Sequence, residues 1–240
     1  EALALPLCEA TAALKRRVFP EDHPTHLVTA GSLAILAALR GDETTAMTMR
    51  QDILARTRQI FGDAHTRTGY ARFNLAVSLA GSGDYREAEK QYREALATLQ
   101  QQLGPEHRST LVVKNNLALL LVDHGDAGEG LRLCRELLAE RRKVLGQSHP
   151  DVAQSLMNLA SAEAANHDAA AAVEHSRHAL AMYVELLGSD NHDSVLATYQ
   201  LALREWQAGQ LQQADLHASQ ALAAYDGAKQ RLAAARSNAD

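Results

Sequence analysis

Apolar residues in this chain fall at helical spacing in short blocks, and the blocks themselves recur. Leu33, Ala34, Ile35 and Leu39 share a helical stripe. Arg40-Gly41-Asp42 then interrupts it, and a second apolar-periodic stretch runs to Ile60. The same plan returns every 42 residues: Phe19, Phe61, Leu103, Leu145 and Leu187 hold one register, and His23, His65, His107, His149 and Asn191 another. Ser32, Asn74, Asn116, Asn158 and Gln200 hold a third, and Gly41, Gly83, Gly125, His167 and Gly209 a fourth. Ala46, Ala88, Gly130, Ala172 and Ala214 follow, and Leu54, Leu96, Leu138, Leu180 and Leu222 close each block. A fixed period of this length, without insertion or deletion, predicts a solenoid in which each repeat buries its apolar face only against its neighbours.

The reading divides the chain into an orphan second helix at 1–18, full repeats at 19–60, 61–102, 103–144 and 145–186, and a last repeat with a capping helix at 187–240. The orphan helix is read as the second half of a repeat whose first half lies outside this sequence, cut from a longer chain. Eleven helices are expected, one orphan and five antiparallel pairs, with no strand. Gly62, Gly104, Gly146 and Gly188 each stand just past an apolar helix end, where a left-handed cap is expected. At His167, preceded by Asn166, the turn is expected to survive without glycine, because His and Asn enter the left-handed region readily. The final helix, from Leu211 to about Ala234, is long and polar, as a helix with solvent on one more side requires.

Composition narrows the function. The 240 residues are 46% apolar but only 4% aromatic, which fits thin, alanine-rich cores. A net charge of −5 with no Lys/Arg cluster argues against nucleic acid, and no apolar run of ~18 residues exists to span a membrane. The opening Glu-Ala-Leu-Ala lacks the basic head of a secretory leader, so the expected compartment is the cytoplasm. Cys8 and Cys134 lie three periods apart, roughly 30 Å if neighbouring helices stack ~10 Å apart. A disulfide tolerates about 7 Å between Cα atoms, so both are read as free thiols packed as small apolar residues.

Catalytic signatures are missing: no G-x-S-x-G, H-E-x-x-H, glycine-rich phosphate loop or Cys-x-x-Cys is present, and neither enzymatic activity nor a cofactor is expected. The His23, His65, His107 and His149 ladder cannot converge on one ion, because a strict repeat holds equivalent side chains a repeat apart. It is read as loop structure. His175, His178 and His217 are a weak metal candidate, since they could approach one another on an outer face, and surface histidines are the blander reading.

Leu-Gly-Gln-Ser-His-Pro-Asp-Val at 145–152, Asn115-Asn116-Leu117-Ala118, and Gly83-Asp84-Tyr85 with Glu87-Ala88-Glu89 resemble a tetratricopeptide repeat array of the kinesin-light-chain subtype. The resemblance covers essentially the whole chain. It implies an all-α, right-handed superhelical solenoid of antiparallel helix pairs whose first helices line a concave groove for extended peptides. It also implies that Asn74, Asn116 and Asn158 face that groove, where an amide can donate to and accept from any peptide main chain. The alternative is that each amide bonds a carbonyl of the neighbouring repeat. Beside this column the expected groove residues are Tyr70, Phe73, Val77, Val112, Asn115, Leu119, Asp123, Gln154, Met157, Ser161, Tyr199, Gln200, Leu203 and Trp206. Carboxylate-clamp relatives carry Lys or Arg in several of these places. Here the nearest, Arg72 and Lys114, are one position off, which favours an internal segment with apolar anchors over a peptide C-terminus.

The leading functional expectation is a scaffold that binds an extended, partly apolar segment of a partner protein. The runner-up is a regulatory or structural array at the C-terminus of a larger bacterial signalling enzyme, such as a Ser/Thr protein kinase. A third is self-association through exposed repeat ends.

Overall fold

The helix boundaries are set by side chains that the period repeats. At the start of each first helix the conserved-register histidine turns its ring onto the backbone: Nδ1 of His65, His107 and His149 accepts the N–H of Arg67, Ser109 and Asp151 at 3.1, 3.1 and 3.0 Å. His23 does the same to Thr25 at 3.3 Å, and in the last repeat Oδ1 of Asn191 accepts from Asp193 at 2.9 Å. At His65, His149 and Asn191 the residue is the N-cap itself, and the bond satisfies a backbone donor that the helix leaves orphaned. The ladder is therefore capping chemistry, and it requires the imidazole tautomer with Nδ1 unprotonated. The second helices of the repeats at 19–60, 61–102, 103–144 and 145–186 use Asp instead: Asp42, Asp84, Asp126 and Asp168 accept from Thr45, Glu87, Glu129 and Ala171 at 3.0–3.2 Å.

The structure, a computed structural model, describes residues 4–20 and 23–237. It runs α1 (Ala4–Val18), α2 (Thr25–Leu39), α3 (Glu43–Phe61), α4 (Thr66–Gly81), α5 (Tyr85–Leu103), α6 (Arg108–His124), α7 (Ala127–Leu145), α8 (Pro150–Ala165), α9 (Ala169–Leu187), α10 (His192–Gln207) and α11 (Leu211–Ser237). Among the described residues every element is a helix, and there is no strand.

Two turn types alternate. First helices α2, α4, α8 and α10 end in a Schellman motif, with a 6→1 bond such as Asp84 N–H to Leu79 O (2.9 Å) or Asp168 N–H to Glu163 O (2.9 Å). His167 takes the left-handed position at φ 64°, so the non-glycine turn survives as expected. After α6 the chain turns differently: Gly125 has no positive φ, and its N–H bonds Leu121 O at 3.1 Å. The glycines after the second helices also depart from expectation. Gly62, for example, has φ 82° and ψ 169°, which is the extended mirror region and not a left-handed helical cap. That region is essentially closed to residues with a Cβ.

The chain packs as two compact units, Glu1–Leu120 and Leu121–Asp240. In the first, α1 to α5 pack each on the next, around Leu75, Leu79, Tyr92, Ala95 and Leu99. In the second, α7 to α11 do the same around Leu137, Val152, Leu156, Val173 and Leu201. Ala46, Ala88 and Ala172 are fully buried, and their small side chains let paired helices approach closely. Cys134 is buried and free, and desolvation beside Glu163 pushes its thiol up to about 11; Cys8 is free and half-buried.

Candidate functional site

On a helix, residues at offsets of four and seven share one face. In the first unit that rule groups Val28, Ser32 and Ile35 on α2, Tyr70, Asn74 and Val77 on α4, and Val112, Asn116 and Leu119 on α6. Most of this set is open to solvent: Val28 is 63% exposed and Ile35 55%, with Tyr70, Val77 and Val112 between 36% and 40%. The Tyr70 hydroxyl donates to Ser109 Oγ at 2.9 Å, tying α4 to α6. Asn74 is exposed, and among the described residues its amide makes no side-chain hydrogen bond. Asn116 is half-buried and spends one N–H on Val112 O of its own helix (2.9 Å). Asn115 and Leu119 are half-buried, as is Phe73, whose ring stands 6.0 Å from Tyr92.

Between α2, α3 and α4 this face opens into a pocket of about 470 Å³, lined by Leu27, Ala34, Ile35, Ile53 and Ala71 together with Arg50, Arg67 and Asn74. Arg72 and Lys114, the nearest basic residues in the sequence reading, are both buried. Arg72 is fully engaged, reaching Asp63 Oδ1 at 2.5 Å, Asp63 O at 3.0 Å and Glu94 Oε2 at 2.9 Å.

In the second unit the equivalent positions are Gln154, Asn158 and Ser161 on α8, and Leu196, Gln200 and Leu203 on α10. Here the expectation of a water-facing amide fails: Asn158 is 6% exposed, and its Oδ1 accepts from Gln154 Nε2 at 2.9 Å. Gln154 Oε1 in turn accepts from the Tyr183 hydroxyl at 3.2 Å. Ser161 donates to Met157 O (3.1 Å) and accepts from Arg204 Nη2 (2.8 Å). Met157, expected in the groove, is 4% exposed and belongs to the core. What remains open is an apolar stripe on α10: Leu196 at 44%, Tyr199 at 51%, Leu203 at 39% and Trp206 at 64%. Gln200 is half-buried within it. The sequence reading missed Val28, Ile35 and Leu196, although stepping the Tyr70, Val77 and Val112 registers along by one or two periods names them.

The three candidate metal histidines do not converge. His175 Nδ1 lies 2.7 Å from Glu163 Oε2, and His217 Nδ1 lies 2.6 Å from Glu205 Oε2, so one period separates two copies of the same pair. Glu163 and Glu205 are almost wholly buried, and Glu205 also receives Arg177 at 2.8 Å. Among the described residues no cluster of three or more His, Cys, Asp or Glu side chains could hold a metal ion. None of the described helices is long and apolar enough to cross a membrane.

The tetratricopeptide repeat model matches residues 39–101, 74–133, 109–183 and 151–227, which together span most of the chain. The chain belongs to the tetratricopeptide repeat family. No curated protein sequence matches it. Among solved structures, this tetratricopeptide chain resembles nearly identical TPR-like repeats of kinesin-light-chain type from Podosopora anserina, at 24% identity and TM-score 0.75, over 86% of this chain and 98% of that one. BtubC (BKLC) from P. vanneervenii aligns at 19% identity and TM-score 0.79, over 95% of this chain and 92% of that one. A Rap protein complexed with competence and sporulation factor aligns at 13% identity and TM-score 0.66, over 83% of this chain and 55% of that one. At these identities the likeness is one of fold.

Proposed function

We propose that this tetratricopeptide array docks an extended, partly apolar segment of a partner protein on the first-helix face of its N-terminal unit, formed by α2, α4 and α6. The observation that carries the reading is Asn74: an exposed amide with no side-chain hydrogen bond among the described residues, set between Tyr70 and Val77 and flanked by the open apolar side chains of the neighbouring repeats. An amide offers donor and acceptor together, so it can satisfy a peptide unit of any sequence. The apolar side chains beside it supply burial worth about 25 cal/mol per Å² once covered. Affinity thus comes from side-chain anchors, and orientation from the main chain. That the same fold holds competence and sporulation factor in a Rap protein is consistent with such a role.

The test is a displayed library of random peptides panned on the whole chain. Enriched peptides should bind at least about tenfold more weakly, a loss of ~1.4 kcal/mol, to the Val77→Glu/Val112→Glu variant, which places charge on the face and leaves the core alone. Failure to enrich any peptide, or binding indifferent to these changes, would reject the docking face.

A further inference from the structure

The inner side of α11 is closed, with Ala214 and Ala221 buried where it packs on α10. The face next to it is apolar and bare. Leu211, Ala218, Leu222 and Tyr225 step by seven, four and three residues, which sets them on one helical stripe. Earlier repeats cover the same registers: Leu54 and Leu138 are buried where α4 packs on α3 and α8 on α7, and Tyr183 is buried on α9. Leu222 and Tyr225 are both 62% exposed.

The turn that would lay a further first helix on this flank is not encoded. Helices α3, α5, α7 and α9 are each 19 residues long and stop at Gly62, Gly104, Gly146 and Gly188. One period on, Gln230 stands in the glycine register and Ala233 in the capping register of His149 and Asn191. Helix α11 continues through both to Ser237, 27 residues in all. The stripe therefore lacks the cover that the repeat plan gives its equivalents.

Two charges within the stripe select what covers it. Asp215 and Lys229 lie on the same face, each seven residues, or about 10 Å of helix, from Leu222. Both are exposed, and neither has an ion pair among the described residues. A helix with opposite charges placed symmetrically about an apolar residue complements its own reverse. With a two-fold axis at Leu222, Asp215 of each copy meets Lys229 of the other, whereas a parallel pairing would oppose like charges.

The geometry points to a two-fold dimer of this chain, formed by antiparallel packing of α11 on α11 of a second copy. Leu222 packs on its own equivalent at the axis, Ala218 lets the helices approach closely, and Tyr225 extends the seam. The two Asp215–Lys229 pairs flank the axis and fix the direction. This surface is separate from the docking face on α2, α4 and α6, and it stands or falls independently of that reading.

Sedimentation velocity on the whole chain, from about 1 to about 100 µM, tests it, since a small specific interface should assemble in that range. The chain should pass from monomer to dimer and no further. Leu222→Glu/Tyr225→Glu, both at exposed positions, should weaken the dimer at least about a hundredfold while keeping the helical circular-dichroism signal. Asp215→Lys and Lys229→Asp should each weaken it roughly tenfold by opposing like charges, and Asp215→Lys/Lys229→Asp should restore it. A chain still monomeric at about 100 µM, or a dimer indifferent to these changes, would overturn the proposal. So would association abolished by Leu7→Glu/Leu14→Glu, at exposed positions of α1, but not by the α11 variants.

Discussion

The first-helix faces of the two units occupy the same registers of the same repeat, yet they are finished differently. On α4, Asn74 is exposed and makes no side-chain hydrogen bond among the described residues, where neither arginine of the neighbouring pocket has an ion pair. On α8, Asn158 is buried and bonded to Gln154, which in turn takes the Tyr183 hydroxyl, while Ser161 is bonded to Arg204. An unmade hydrogen bond at a solvated surface costs little, and the group stays available to a ligand. A buried amide whose partner is removed costs about 1–3 kcal/mol. Register alone does not assign function to a side chain; what each register touches does.

The sharpest contrast is chemical. Cys8 and Cys134 sit three periods apart in equivalent places, but only Cys134 is buried, with its thiol pushed up to about 11. Burial shields its sulfur and disfavours the thiolate that reacts, so a thiol reagent should label Cys8 at least ~10-fold faster than Cys134. Comparable rates in the folded chain would show that the α7–α8 packing is open. Next in size, Asn158→Ala should lower unfolding free energy by about 1–3 kcal/mol in urea titration, because it removes a buried side chain together with its hydrogen bonds. A change within ~0.5 kcal/mol would place Asn158 with Asn74 and erase the distinction drawn here. Smaller still is the cap. His65→Ala should cost about 1 kcal/mol, and His65→Asn, which copies the cap at Asn191, should restore most of it. Equal losses in the two variants would mean that the stacking of His65 on Phe61, at 4.8 Å between centroids, matters more than the bond to Arg67.

The repeat plan was legible because it rests on local chemistry that recurs at one spacing: capping His and Asp, turning Gly, and small Ala at the helix crossing. The turn at His167 was legible for the same reason. The caps themselves escaped notice, since a histidine accepting through Nδ1 looks in sequence like any loop histidine. The glycines after the second helices were located, but their ψ was not, because positive φ admits two regions that composition does not separate. In the candidate site, the sequence placed Tyr70, Asn74, Val77 and Val112 together on the first helices. It could not show that Asn158 and Met157 are buried, which is a matter of packing across helices.

If the docking proposal is right, Asn74 is a ligand-facing amide and Asn158 a structural one. Measuring unfolding free energy and affinity for an enriched peptide on Asn74→Ala and Asn158→Ala, side by side, tests this directly. Asn74→Ala should weaken binding by about 0.5–1.5 kcal/mol while moving stability by less than ~0.5 kcal/mol, and Asn158→Ala should lose stability while keeping its affinity once unfolding is corrected for. The reverse pattern, stability lost at Asn74 and binding lost at Asn158, would contradict it.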